Sequence, residues 1–342
     1  MYQRKVQKTG GSTYFVTLPK AWAESVGIEP GSLVTLMPNE SGALLLVPES
    51  LPNRNRCAID LHDEWDFERF QRAIISRYIV GFNVIEIRAK RIRPEQRRMA
   101  REIAQRLVGL EIFDESQSMI TLQALVNVRD FPAARTLSRV YDITHAMLGD
   151  AVAAFCEHDE ELARDVVERD GDVDRLVLLV SRQFSLLLRD QLLEHDVGLS
   201  RMGFLHYHTV ANQLERVADH AGKISEATVA LTDPVLPDVA EEIKARAHDA
   251  HLVLQQAVDA FTSGDVELAN RVLKEKERTE RLFEVTRETA AEKMPAAAPS
   301  ISIVVDSLLR IREYAFNIAE SALDVPASVS PETLTADIPK ES

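Results

Sequence analysis

ERVADHAGKISE, residues 215–226, separates into two faces when wound as a helix. At ~100° per residue, Glu215, Asp219 and Glu226 fall within about 40° of one another. Val217, Ala221 and Ile224 point the other way, so carboxylates stack on one side and apolar groups on the other. A degraded echo, RIREYAFNIAE, runs from Arg310 to Glu320. There Glu313, Asn317 and Glu320 take the places of Asp219, Lys223 and Glu226, which points to an internal duplication.

A second pair of segments supports this. AFCEHDEELARDVVERDGDVDRL, from Ala154, aligns without gaps onto AFTSGDVELANRVLKEKERTERL, from Ala260, at an offset of 106. Asp159 and Asp265 suit N-cap positions, with acids following in the first turn. The ERVADHAGKISE pair aligns at an offset of 94, so the connection before it is shorter in the second copy. The periodicity predicts six helices, roughly over 132–157, 159–190, 200–228, 236–263, 265–293 and 300–324, with Asp130 and Pro132 as cap and first-turn residues of the first. Two tandem three-helix bundles result.

The chain has 342 residues, enough for two or three domains, and an ordinary apolar content of 45%. It has no apolar run of the roughly 20 residues that span a bilayer, and the opening MYQRKVQKTGG lacks the apolar core of a signal peptide. Cys57 and Cys156 stand far apart without metal-ligand spacing and read as buried reduced thiols. A cytoplasmic protein without membrane insertion is expected. The net charge of −14 argues against a chain that coats nucleic acid overall. Arg4, Lys5, Lys8 and Lys20 nevertheless precede the first acid, Glu24.

Residues 1–50 read as four short strands and one short helix. Arg4–Gln7 and Tyr14–Leu18 flank Gly10-Gly11, which permit the positive φ of a hairpin turn. Lys20 to Val26 is helical after Pro19 and is closed by Gly27. Leu33–Met37 and Ala43–Val47 form a second hairpin. So small a module has a marginal core alone, and a dimer would bury it. Leu51 to Arg56 is a linker. Residues 57–128 alternate strand and helix in the order β-α-β-α-β-β, an α/β sandwich with helices on one sheet face. Its cations Arg88, Lys90, Arg91, Arg93, Arg97 and Arg98 form the densest positive patch, readable as a DNA or acidic-partner contact or as a solvated helix start and loop.

RKVQKTGGSTYFVTLPKAWAESVGIEPGSLVTL, through its Gly10, Thr17–Lys20 and Pro30-Gly31 signals, resembles the SpoVT/AbrB family of swapped-hairpin DNA-binding modules. The resemblance implies a homodimer with Arg4, Lys5, Lys8 and Lys20 facing DNA; Ala23 and Glu24 stand where bacterial members often carry arginines. Eight cations in a dimer, all on phosphates, would give a log–log salt slope of about −7. The repeated ERxxDHAxxIxE-like helices over 130–325 resemble the PhoU family. That resemblance implies a regulator of phosphate uptake communicating with the phosphate ABC transporter or associated signalling proteins, with metal ions on acidic helix faces. Together the two look like an archaeal-type PhoU protein with an AbrB-like head.

The expected architecture is therefore multidomain. A swapped-hairpin β-barrel spans 1–50, a small α/β domain 51–128, and all-α tandem three-helix bundles 129–326 (copies 129–230 and 231–326); a flexible tail follows over 327–342. The metal-ligand candidates are Glu215, Asp219, Glu226, Glu313 and Glu320, for a divalent ion such as magnesium, manganese, iron or zinc. Leu309 replaces the first acid of the second copy. A solvated acidic face is the alternative, since two carboxylates ~6 Å apart repel by only about 0.7 kcal/mol in water. His220 lies about 100° around the helix from Asp219. His206 and His208 do not share a face and read as structural or exposed. Arg216 and Arg310, at equivalent places, read as braces for nearby carboxylates. No phosphate-binding loop, dinucleotide fingerprint or nucleophile elbow occurs, so no enzyme is expected. Three functions follow: a DNA-binding phosphate regulator, an adaptor acting only through protein contacts, and a metal-binding helical protein.

Overall fold

The computed structural model describes residues 2–11, 13–38, 42–48, 55–189, 191–276 and 280–327. The expected linker falls largely, and the expected tail almost wholly, outside them. The chain divides into two units, Met1–Arg56 and Cys57–Ser342.

In the first unit, β1 (Gln7–Thr9) and β2 (Thr13–Phe15) pair antiparallel around Gly10 and Gly11, both at positive φ. Helix α1 (Lys20–Ser25) follows Pro19. β3 (Val34–Pro38) and β4 (Leu44–Pro48) form the second hairpin. Both hairpins and the helix are where the sequence places them, with β1 shifted toward the turn. The barrel is not closed in the single chain: the two hairpins are separate two-stranded sheets. Strands of three to five residues expose too much of themselves to form a core alone. Tyr14, Phe15, Val16, Leu33, Leu36 and Leu44 are accordingly exposed.

The second unit begins with the α/β domain. β5 (Arg56–Asp60), α2 (Phe67–Val80), β6 (Val84–Arg88), α3 (Pro94–Gln105), β7 (Leu110–Glu115) and β8 (Met119–Ala124) follow the expected order. The sheet runs β5-β6-β8-β7, with β8 antiparallel to both neighbours. Alternate residues Ile85, Ile87, Ile120 and Leu122 point inward against Phe70, Ile74, Tyr78, Ala100 and Ile103 of the two helices. Asp66 caps α2 by accepting from the Arg69 backbone, and Gly81 ends it at φ 105°. Three of the six patch cations are paired: Arg88 with Glu86, Arg93 with Asp63 and Arg97 with Glu115.

The helical region contains α4 (Ala133–Glu157), α5 (Glu160–Leu188), a short α6 (Glu194–Val197), α7 (Arg201–Val229), α8 (Pro237–Ser263), α9 (Val266–Lys274), α10 (Glu280–Lys293) and α11 (Ala298–Ala327). One apolar core runs through all the long helices, from Leu137 on α4 to Ala322 on α11. Asp159 accepts from the backbone of Glu161 and Leu162, and Asp265 from that of Leu268, as their cap positions require. The repeat extends to the preceding C-caps: His158 (φ 55°) and Gly264 (φ 68°), 106 residues apart, both adopt the left-handed conformation. Two expectations are corrected. Asp130 does not cap α4; it ends a 3₁₀ turn, Val128–Asp130, and Pro132 is the cap residue. The fifth helix is two, α9 and α10, where its counterpart α5 is continuous.

Two buried arginines hold elements together. Arg182 on α5 is 2% exposed. It donates to the carbonyls of Tyr78 and Phe82 and to Asn83 Oδ1, and lies over the Tyr78 ring. This fork caps the end of α2 and fixes the α/β domain to the helices. Gly81 permits the close approach, because a Cβ there would lie 2.6 Å from Leu186 Cδ2. Arg312 on α11 lies between the Phe283 and Phe316 rings, 2.9 Å from Asp249 of α8, and donates to the Glu275 carbonyl at the end of α9.

Candidate functional site

The acidic face of α7 does not meet solvent alone. Helix α5 presents Asp170 and Asp174, one turn apart, to the same seam between the helices. Burial and the neighbouring charges of Asp219, Asp174 and Asp170 raise the Glu215 carboxyl to about 7, against the pull of Arg216. Asp170 rises to about 6 through burial and the fields of Asp174, Asp219 and Glu226. Asp174 and Asp219 are also raised, chiefly by burial. Arg106, at the end of α3, draws Asp174 back down, so the α/β domain reaches this seam. Asp170 Oδ1 is buried without a hydrogen-bond partner. Of the sequence candidates, Glu215, Asp219 and Glu226 therefore join one electrostatic cluster, while Asp170 and Asp174 had to be supplied by the fold.

The second copy does not rebuild it. At the same offsets Lys276 stands for Asp170 and Leu309 for Glu215. Glu313 pairs with Arg310, and Glu320 is exposed. Among the described residues, no group of three or more His, Cys, Asp or Glu side chains is placed to hold a metal ion. The all-oxygen donor set of the first seam nevertheless has the chemistry of a hard-cation site.

His220 and His208 are packed among the helices. Burial and the nearby Lys223 and Arg310 push His220 down to about 4, and its ring meets Tyr314 at 5.7 Å. His208 contacts Ser181 Oγ and stacks on Phe184. Arg310 braces Glu313, as expected; Arg216 lies over the Tyr314 ring and its charge pulls Glu215 and Asp219 down.

The raised carboxyls make a signed prediction. A folded state that holds protons more tightly than the unfolded chain loses stability as pH rises through the window between the two pKa values. For Glu215 that window runs from 4.5 to about 7. Glu215→Gln is expected to match the parent at pH 4 and to exceed it at pH 8. The gain should be about 1 kcal/mol, discounted because the half-buried group is partly screened by solvent. Urea unfolding at the two pH values checks this; equal stabilities at pH 8 would remove the repulsive cluster from the account.

In the first unit, Arg4, Lys5, Lys8 and Lys20 are all exposed. Lys8 lies over the Tyr14 ring, Arg4 over that of Tyr2, and Lys20 pairs with Glu24 at 3.7 Å. No described helix is long and apolar enough to cross a membrane.

Comparison with known proteins decides the helical half. The model described as PhoU domain matches residues 137–228 and again 246–322, the two copies of the repeat. The helical region belongs to the PhoU family. A second model, described as "Antidote-toxin recognition MazE, bacterial antitoxin", matches residues 7–53. Among similar relatives is the "Phosphate-specific transport system accessory protein PhoU homolog 1" of Methanothermobacter thermautotrophicus, 25% identical over 51% of this chain and 78% of its own. The "Phosphate-specific transport system accessory protein PhoU homolog" of Pseudomonas aeruginosa is 25% identical over 52% and 75%. The solved PhoU of Pseudomonas aeruginosa superposes with a TM-score of 0.51 at 23% identity, covering 58% of this chain and 96% of that one. The PhoU of Streptococcus pneumoniae gives 0.51 at 15% identity, covering 58% and 94%. These last two show the shared PhoU fold.

Proposed function

We propose that this chain is a phosphate-responsive regulator of phosphate uptake that acts as a dimer, binds DNA through residues 1–50, and receives its signal through the PhoU helices. The observation that carries the reading is the presence, on one chain, of a paired PhoU domain and a hairpin module that exposes both cations and apolar side chains. The relatives' names tie the PhoU half to a phosphate transport system. Tyr14, Phe15, Val16, Leu33, Leu36 and Leu44 give a second copy an apolar surface to bury, and interlocking would complete the barrel. A divalent cation at Glu215, Asp219 and Glu226, joined by Asp170 and Asp174, is part of the same reading. It would neutralise the carboxylates that now repel one another. Transporter components or their signalling partners would meet the helical surface.

The adaptor reading, in which residues 1–50 only dimerise, has one observation in its favour: Lys20 is engaged by Glu24. Fluorescence anisotropy separates the two. Full-length protein and residues 55–342 are compared on DNA from upstream of a phosphate-transporter operon and on scrambled DNA, across salt. The regulator is expected to bind selectively, to need residues 1–50, and to show a salt slope near −7. Lys5→Ala/Lys8→Ala removes four cations from a dimer and should flatten that slope by about 3.6 units. Binding that is absent, or equal on both DNAs, leaves the adaptor.

A further inference from the structure

The two PhoU copies meet where α4 packs against α8, and there the repeat brings two of its own equivalents face to face. The offset of 106 that relates Ala154 to Ala260 also relates His145 to His251. Their rings lie edge to face with centroids 4.7 Å apart, and His251 Nε2 is 3.3 Å from the His145 carbonyl. A groove of about 450 Å³ opens over them, lined also by His248, Asp150 and Gln255. Gly149 also lines the groove, where a Cβ would make only an ordinary contact with His251 Cε1 at 3.9 Å. Three of the nine histidines thus share one groove at the junction of the copies.

We propose that His145 and His251 together ligate one divalent transition-metal ion of the imidazole-preferring class, such as zinc, nickel or copper, in the groove between α4 and α8. Zinc–nitrogen bonds are ~2.0–2.1 Å, so two imidazoles on one tetrahedral ion have ring centres about 5 Å apart. The observed centroid separation of 4.7 Å is close to that, and the two rings have to turn their nitrogens to one point to share the ion. His251 exchanges its contact with the His145 carbonyl for the metal. His248, one turn before His251 on α8, is the third ligand within reach by a rotamer change. Asp150 is engaged by Arg169 at 2.6 Å, so water completes the sphere. Among the described residues no three such side chains are placed to hold an ion, so binding requires these rotamer changes. Imidazole nitrogen distinguishes this site from the carboxylate seam, whose oxygen donors favour harder cations. The inference does not depend on DNA binding or on phosphate.

The test uses full-length protein free of any added histidine tag. Zinc is titrated by calorimetry with magnesium in excess, which occupies oxygen sites without competing for imidazole. One zinc per chain is expected, with affinity reduced at least tenfold in His145→Gln and in His251→Gln. As a second measurement that needs no variant, one equivalent of copper on the native protein should show nitrogen hyperfine couplings in its electron paramagnetic resonance spectrum. Failure to take up stoichiometric zinc, a His145→Gln/His251→Gln double variant that binds as tightly as the parent, or copper with oxygen ligands alone would each overturn the assignment.

Discussion

Arg182→Ala is expected to cost the second unit roughly 3–5 kcal/mol, since each of three buried acceptors losing its donor costs about 1–3 kcal/mol. The guanidinium is 2% exposed and takes its partners from the end of a different domain. Truncation leaves the Tyr78 and Phe82 carbonyls and Asn83 Oδ1 without that donor in a largely buried site. It also removes a cation from the C-terminal end of α2, where the helix dipole is negative, and from the face of the Tyr78 ring. Lysine keeps the charge but not the planar fork, so Arg182→Lys should lose an intermediate amount. Denaturant unfolding followed by far-ultraviolet circular dichroism measures both. A loss below about 1 kcal/mol for the alanine variant would mean that the α/β domain is held on the helices by apolar packing alone.

Arg312→Ala should cost less, about 2–4 kcal/mol. It is 1% exposed and packed between aromatic rings, and it joins three helices by touching Asp249 and the Glu275 carbonyl. The difference is its partner. The Asp249 side chain is 38% exposed, so water can solvate it once the cation is gone. The 2.9 Å contact is also a close ion pair without hydrogen-bond alignment. The same unfolding measurement ranks the two arginines. If Arg312→Ala proved the costlier, the aromatic contacts rather than the ion pair would dominate that site.

Much of the fold was legible because it is local. The 3.6-residue period, Asp159 and Asp265 at helix starts, and Gly10-Gly11 at a turn are choices made within a few residues. Those elements lie where periodicity and capping place them. What escaped the sequence depends on distance. Asp170 and Asp174 belong to the carboxylate seam, but they are about 45 residues from Glu215 and read as an ordinary polar face of α5. Arg182 sits among leucines and valines of α5, and nothing local tells that carbonyls of α2 await it. The barrel expected over residues 1–50 is not closed in one chain, which shows two separate hairpins. The His145–His251 pair was within reach, since it falls on the same offset of 106 as the Phe155–Phe261 match. The interruption between α9 and α10 was not: an unbroken alignment onto α5 carries no mark of it.

Helix α5 has a mechanical consequence. Asp170 and Asp174 of the seam and Arg182 of the domain clamp stand on one uninterrupted rod, and Asp174 and Arg182 are separated by about 12 Å of rise. The charge of Arg106, from the domain being clamped, pulls Asp174 down. The sheet is thus bolted to the helix beside its charged stretch. A cation or partner that shifts α5 against α7 displaces the α/β domain with it, as a crank turns with its shaft.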